Sequence, residues 1–439
     1  MKYLMYNINE LKRKIDSDSL VEKCRKNQKD FTRNRKLQPK DLVLFTLNNR
    51  GKTLKMELYD YIKEFNIEEV SSPALLKQRE KLNENVFKEL SKESLIDFYG
   101  KFKNEVKTIK NHLLFAIDGS TCEVPNTPET RERYKSINST DDTRVARIKL
   151  SNCYDVLNKY VVDTEIEEYN HQELELALRH MNNTQYLKEY NQIINVMDRG
   201  YFSIPQIYYL LKQKENFVIR LNRQLLKKEQ SKMTSDDEII EIEYEYNRVR
   251  NFKDKYEEVY NYYESGNTIS IRMVNVTLDT GEIETILTNL SQEEFTKEDL
   301  KEIYGLRWGI ENNYHELKES MMITNVSSSK DTIIKQEIYS QMLVCNIIHS
   351  IENDLITQVN QKEHKHPMKI NFNMAVGFVK RFLVKILIEE DDNKRNELSE
   401  LLFNNILKNL VPIRSGRKSE RSKNKKLTNK HPINKRKSF

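Results

Sequence analysis

Residues 193–222 read IINVMDRGYFSIPQIYYLLKQKENFVIRLN, and they decide the architecture. IINVM is a short apolar run that ends on Asp198. IPQIYYLLKQKE follows with apolar residues at helical spacing and a proline suited to a first turn. NFVIRLN is then a second short apolar run. The stretch therefore predicts a strand, a helix and a strand, with an acid at the end of the first strand.

Working outward, LLFAIDG (113–119) is another apolar run ending in an acid, Asp118. VARIKLSNCYDVLN and KYVVDTEIEEY alternate like paired strands, with Leu157–Asn158 at the turn between them. HQELELALRHMNN (171–183) predicts a helix. The order is thus three strands, helix, strand, helix, strand. A ribonuclease-H-like mixed sheet has this order, and a doubly wound sheet begins similarly. Residues 223 to about 292 break the pattern with a polar, Tyr-rich stretch, followed by the hairpin ISIRMVNVTLDTGEIETILTNL with its Asp-Thr-Gly turn. We read this as an inserted β element. A long helix is expected from Thr296, then mostly helices to about residue 410. Before residue 105 the chain also reads as helices, one of them opened by Ser71–Ser72–Pro73.

The chain has 439 residues, enough for two or three domains. Hydrophobic residues are 38% and charged residues 32%, so global disorder is excluded but the apolar share is modest. The N-terminal stretch lacks the apolar core of a signal peptide, and no run of 18 apolar residues suggests a membrane span. Four widely spaced cysteines form no zinc pattern and fit a reducing cytosol. Of the net charge of +6, residues 414–439 hold +10, from eleven Lys or Arg and one Glu, leaving −4 for the rest. Such a basic tail suits a polyanion.

Two acids at strand ends would be rigidly held yet open to solvent. The third element is YGLRWGIENNYHELK (304–318). At about 100° per residue, Tyr304, Arg307, Glu311, His315 and Lys318 fall in one stripe roughly 80° wide. A solvated face with Arg307–Glu311 and Glu311–His315 pairs is the plain alternative. Trp308 lies beside the stripe, and core packing is its expected role, with base stacking the alternative. Three carboxylates suit magnesium, which takes hard oxygen ligands and keeps positions open for water and phosphate. Two such ions activate a water and stabilise the leaving oxygen in an in-line displacement. Arg307 and Lys318 would hold phosphates. Glycoside hydrolysis, by contrast, needs two carboxylates and no metal. Gly51-Lys52-Thr53 is no phosphate loop, because Thr46 stands where the first glycine is required.

The spacing Tyr304-x2-Arg307-x3-Glu311-x6-Lys318 resembles the signature of insertion-sequence-4-type DDE transposases. IDGST followed by Pro125 resembles that family's first-Asp motif, with Val124 where Leu is more usual. MDRGYFS resembles the second, and FTRNRKLQPKDLVLFTL and QEIYSQMLVCNII resemble flanking regions. The resemblance implies a mixed α+β, ribonuclease-H-like catalytic core with an inserted β subdomain, a helical N-terminal domain and a helical C-terminal region. The corresponding segments are 1–105 (DNA-binding helices), 106–222 (first part of the core), 223–292 (β-rich insertion), 293–380 (second part, with Glu311) and 381–439 (C-terminal helices and basic tail). It implies that Asp118, Asp198 and Glu311 are catalytic and hold two Mg2+ ions, for which Mn2+ substitutes. Asp118 would bridge both ions. Tyr304, Arg307 and Lys318 would grip DNA. The implied partners are double-stranded DNA, as terminal inverted repeats and target, and a second copy of the chain in the DNA complex, with no membrane. The implied activity is cut-and-paste transposition. A metal-dependent nuclease without strand transfer and a non-catalytic DNA-binding protein are the alternatives.

Overall fold

The computed structural model describes residues 1–135, 145–222, 224–243, 245, 249–278, 281–359 and 366–413. The basic tail 414–439 and part of the Asp-Thr-Gly turn lie outside the described residues. Within them the chain is a mixed α/β protein built on one eight-stranded sheet with many helices.

Strand β1 spans His112–Glu123, β2 Arg147–Asp155, β3 Tyr160–Glu168, β4 Gln192–Met197 and β5 Asn216–Leu221. Strands β6 (Asp237–Ile242), β7 (Ile269–Thr277) and β8 (Ile283–Thr288) complete the sheet, in the order β3-β2-β1-β4-β5-β8-β7-β6. The pairs β1–β4 and β4–β5 are parallel and all the others antiparallel. The stretch expected as an inserted β element supplies β6, β7 and β8 to this same sheet. β8 pairs with the edge of β5, and β7 and β6 widen the same sheet. Long-range pairing of this kind leaves no local mark in sequence.

Side chains alternate across a sheet, and the two faces here are covered differently. Leu113, Phe115 and Ile117 of β1 pack with Ala177 and Met181 of helix Glu173–Thr184. Leu114 of β1, Ile194 and Val196 of β4 and Val218 of β5 face the other way, onto Leu300, Ile303 and Tyr304. These last belong to helix Lys297–Leu306, whose start is fixed by a capping box between Thr296 and Asp299.

The N-terminal helices are not set apart. Helices Lys2–Ile15 and Asn85–Phe102 pack on the long helix Asp331–Val359. Asp354 accepts from the amides of Tyr3 and Leu4 at 3.0 and 2.9 Å, capping the first helix from the far end of the chain. Arg79 and Glu337 form a buried pair at 2.9 Å between the same regions. All four cysteines are buried and free. Among the described residues no helix is long and apolar enough to cross a membrane.

Candidate active site

The even-numbered rows just described end in polar residues. Leu114 and Ala116 lead to Asp118, Ile194 and Val196 lead to Asp198, and Val218 leads to Arg220. Because β1, β4 and β5 are adjacent and parallel, with Ile117 opposite Met197 and Met197 opposite Ile219, the three polar groups stand at one level. Asp118 is not the last residue of its strand. β1 runs on to Glu123, paired there with β2, while its pairing with β4 stops at Ile117. The carboxylate is half-buried and reaches solvent because the neighbouring strand ends.

Each aspartate is oriented by the backbone that follows it. Asp118 accepts from the Gly119 amide at 2.8 Å. Asp198 caps a short 3-10 turn, Arg199–Tyr201, by accepting from the Gly200 amide at 2.7 Å. Burial pushes the Asp118 carboxyl up to about 6, and the charges of Asp198 and Glu173 push the same way. The Gly119 amide and Arg307 oppose them.

Glu311 arrives on helix Trp308–His315, over the face that carries the even rows. The sequence predicts one helix from residue 296. The chain instead tightens at Arg307 between Lys297–Leu306 and Trp308–His315, and ends in a π turn, Glu316–Ser320. The helix lies close to the sheet at Gly309, where a Cβ would meet Val156 at 3.3 Å. Tyr314, one turn beyond Glu311, donates its hydroxyl to the Asp118 carbonyl at 2.7 Å and accepts from the Asn152 amide at 3.0 Å. A second buried chain reaches the same carbonyl. Asp163 bonds His180 at 2.7 Å, His180 bonds Ser151 at 2.9 Å, and Ser151 donates to Asp118 O at 3.3 Å. This Ser-His-Asp set is buried, with His180 and Ser151 at 0% exposure, so it braces the strand.

The predicted helix stripe is only partly a surface. Arg307 is buried, with its guanidinium 2.7 Å from Glu311 and 3.8 Å from Asp118. Tyr304 is buried too. Lys318, in the π turn, bonds Ser120 Oγ at 2.5 Å and Thr121 O at 2.9 Å, which ties the turn to β1. His315 is exposed, and no Glu311–His315 pair forms among the described residues. Trp308 departs from the core role expected of it: it is 48% exposed, with the Arg307 guanidinium 5.3 Å from its ring.

Two residues escaped the sequence reading. Arg220, at the end of β5, pairs with Glu284 at 2.7 Å. A lone cation in the apolar run NFVIRLN was the available signal. Glu173 begins the helix on the opposite face, and an acid in a first helical turn gives no signal, since the dipole favours it there anyway.

The acids suit a hard divalent cation in donor type and in charge. Asp118, Asp198 and Glu311 all offer carboxylate oxygens. The Arg307 guanidinium lies between Asp118 and Glu311. As the side chains lie, no three acids, histidines or cysteines among the described residues converge on one point.

Comparison with known proteins matches residues 110–347 to the Transposase DDE domain family. The chain is similar to transposase InsG for insertion sequence element IS4 of Escherichia coli (strain K12), with 20% identity over 279 residues. That match covers 62% of this chain and 59% of the relative, so the chain spans less than two thirds of the relative's length. Among solved structures, a piggyBac transposase synaptic complex with hairpin DNA aligns at a TM-score of 0.42 and 10% identity, over 94% of this chain and 87% of that one.

Proposed function

The chain belongs to the Transposase DDE domain family, and from that premise we propose that it is a DNA transposase cutting and joining phosphodiester bonds at the ends of an insertion sequence. The observation that carries the reading is the alignment of Asp118 and Asp198 on adjacent parallel strands beneath the helix of Glu311. A ribonuclease-H-like core is supported by the order β3-β2-β1-β4-β5, with β1 between an antiparallel and a parallel neighbour.

Asp118, Asp198 and Glu311 would hold the divalent cations, Mg2+ or Mn2+. Bound there, the cations would activate a water or a DNA 3′-hydroxyl for attack and would stabilise the leaving oxygen. The chain's own groups orient and neutralise. Tyr314, on the Glu311 helix, and Ser151, on β2, fix the Asp118 strand. Glu311 is free to join the aspartates once Arg307 releases it, and a released guanidinium suits a DNA phosphate. Arg220 and Lys318 flank the same edge and supply further positive charge. Trp308, exposed at the lip, offers a face for a base. DNA ends and target are the proposed partners, with two copies of the chain holding two ends. Residues 1–105 and the tail 414–439 would add backbone contacts.

Incubating the protein with Mg2+ and DNA carrying the element's ends tests the reading. Joined products are expected. Cleavage without joining would leave a nuclease, and DNA binding without cleavage a non-catalytic DNA-binding protein.

A further inference from the structure

The helix Glu173–Thr184 covers the odd-numbered face of the sheet, opposite the Glu311 helix. Its first residue reaches the sheet edge beside Gly119 and Gly200, the glycines that follow the two aspartates. The space it uses is left open by two glycines, Gly119 beside Asp118 and Gly200 near Asp198. A Cβ on Gly119 would lie 3.4 Å from Glu173 Oε1, and one on Gly200 would lie 3.4 Å from Glu173 Oε2 and 3.0 Å from Asp198 Oδ1. One carboxylate therefore rests against both glycines, and at Gly200 it shares the contact with Asp198. Gly119 belongs to the odd row, so its absent side chain would have pointed at this helix.

Helix capping does not account for the placement. Lys149 of β2 holds Glu173 Oε1 at 3.3 Å while donating to the His171 carbonyl at 2.8 Å, which turns the carboxylate toward the strand ends. Glu175, in the same helical turn, faces away to Arg179 and His171 and is more exposed. Arg307 is committed to Glu311 and Asp118, and Lys149 to Glu173.

We propose that Glu173 is a fourth acid of this centre, approaching the Asp118–Asp198 pair from the opposite face of the sheet and strengthening its hold on divalent cations. The proposal rests on the transposase reading above, because that reading places cations at Asp118 and Asp198. Glu173 would act directly or through cation-bound water, with Lys149 setting its direction.

Mn2+ binding to the full chain, read from the free-ion electron paramagnetic resonance signal, tests this without DNA or turnover. Wild type, Asp118→Asn, Glu173→Gln and the control Glu175→Gln are compared, with circular dichroism to show that each is folded. Asp118→Asn and Glu173→Gln should each weaken Mn2+ binding about tenfold or more, with Glu175→Gln within about twofold of wild type. If Asp118→Asn weakens binding and Glu173→Gln behaves like Glu175→Gln, Glu173 is a helix-terminal acid and the proposal fails alone. If Asp118→Asn also leaves binding intact, the cation centre itself is misassigned and both readings fall. Should Glu173→Gln prove unfolded, Glu173→Asp, which keeps the charge on a shorter arm, is measured instead. Weakened binding upholds the role, and wild-type binding overturns it.

Discussion

The Tyr314 hydroxyl donates to the main-chain carbonyl of Asp118 at 2.7 Å, so the helix that carries Glu311 is bonded to the strand that carries the first aspartate. The same oxygen accepts from the buried Asn152 amide. Tyr314→Phe removes both bonds, takes the Asn152 amide's partner away and leaves the Asp118 carbonyl only the longer bond from Ser151. A loss of about 1–3 kcal/mol in unfolding free energy is expected. Cleavage should fall as well, because the two acids are then no longer tethered to each other. Denaturant melts alongside cleavage rates check this, and unchanged stability would show that Tyr314 is replaceable packing.

Gly200→Ala makes a different kind of change. Its Cβ would sit 3.0 Å from Asp198 Oδ1, so the carboxylate must move. Gly200 is not in the left-handed region, so the backbone tolerates alanine. Cleavage should drop on the order of 10²-fold with little change in melting temperature, since small misplacements of reacting groups are that costly. Wild-type cleavage by this variant would mean that Asp198 has room to relax.

Much of this centre is legible in the sequence, for a physical reason. Asp118 and Asp198 follow the short apolar runs LLFAI and IINVM, a pattern that reads locally. Arg307 and Glu311 sit four apart on one helix, a spacing that also reads locally. What stayed hidden is nonlocal. Glu173 looks like an ordinary first-turn acid until the helix is placed over Gly119 and Gly200. Nothing in the β6–β8 stretch announces that β8 will pair with β5. The π turn at Glu316–Ser320 likewise shifts Lys318 onto β1, although uniform helical counting leaves it in the stripe.

His349 and Glu352 give a stability prediction with a defined pH window. The pair is buried beneath the π turn, at 3.1 Å, and His349 also lies 3.4 Å from Glu316. Burial alone would raise the Glu352 carboxyl, but its bond to His349 and the charges of His349 and Lys159 hold it at about 2. Burial alone would lower the His349 pKa. Its neighbours, Glu316 and Glu352 among them, instead raise it well above the usual value. A depressed acid stabilises the fold above its unfolded pKa, and that contribution disappears as pH falls from about 4.5 toward 2. A raised histidine stabilises below about 6.5 and gives up its contribution only as pH climbs through the higher folded value. Glu352→Gln should therefore lower stability near pH 6 by about 3–5 kcal/mol and flatten the acid limb below pH 4.5. Thermal melts across pH check both limbs, and an unchanged acid limb would show that other carboxylates set it.

Removing residues 414–439 deletes eleven Lys or Arg. DNA binding should weaken, and the slope of log affinity against log salt should shrink by about 0.9 for each DNA phosphate that the tail had neutralised. An unchanged slope would mean that the tail does not touch DNA.

The most direct test of the central claim is cleavage of DNA carrying the element's own end, with Mg2+, by wild type and by Glu311→Gln, which keeps the shape of the side chain and removes its charge. The account predicts cutting at the element boundary by wild type, followed by joined products. It predicts binding without cutting by the variant. Cutting by Glu311→Gln at the wild-type rate would contradict it.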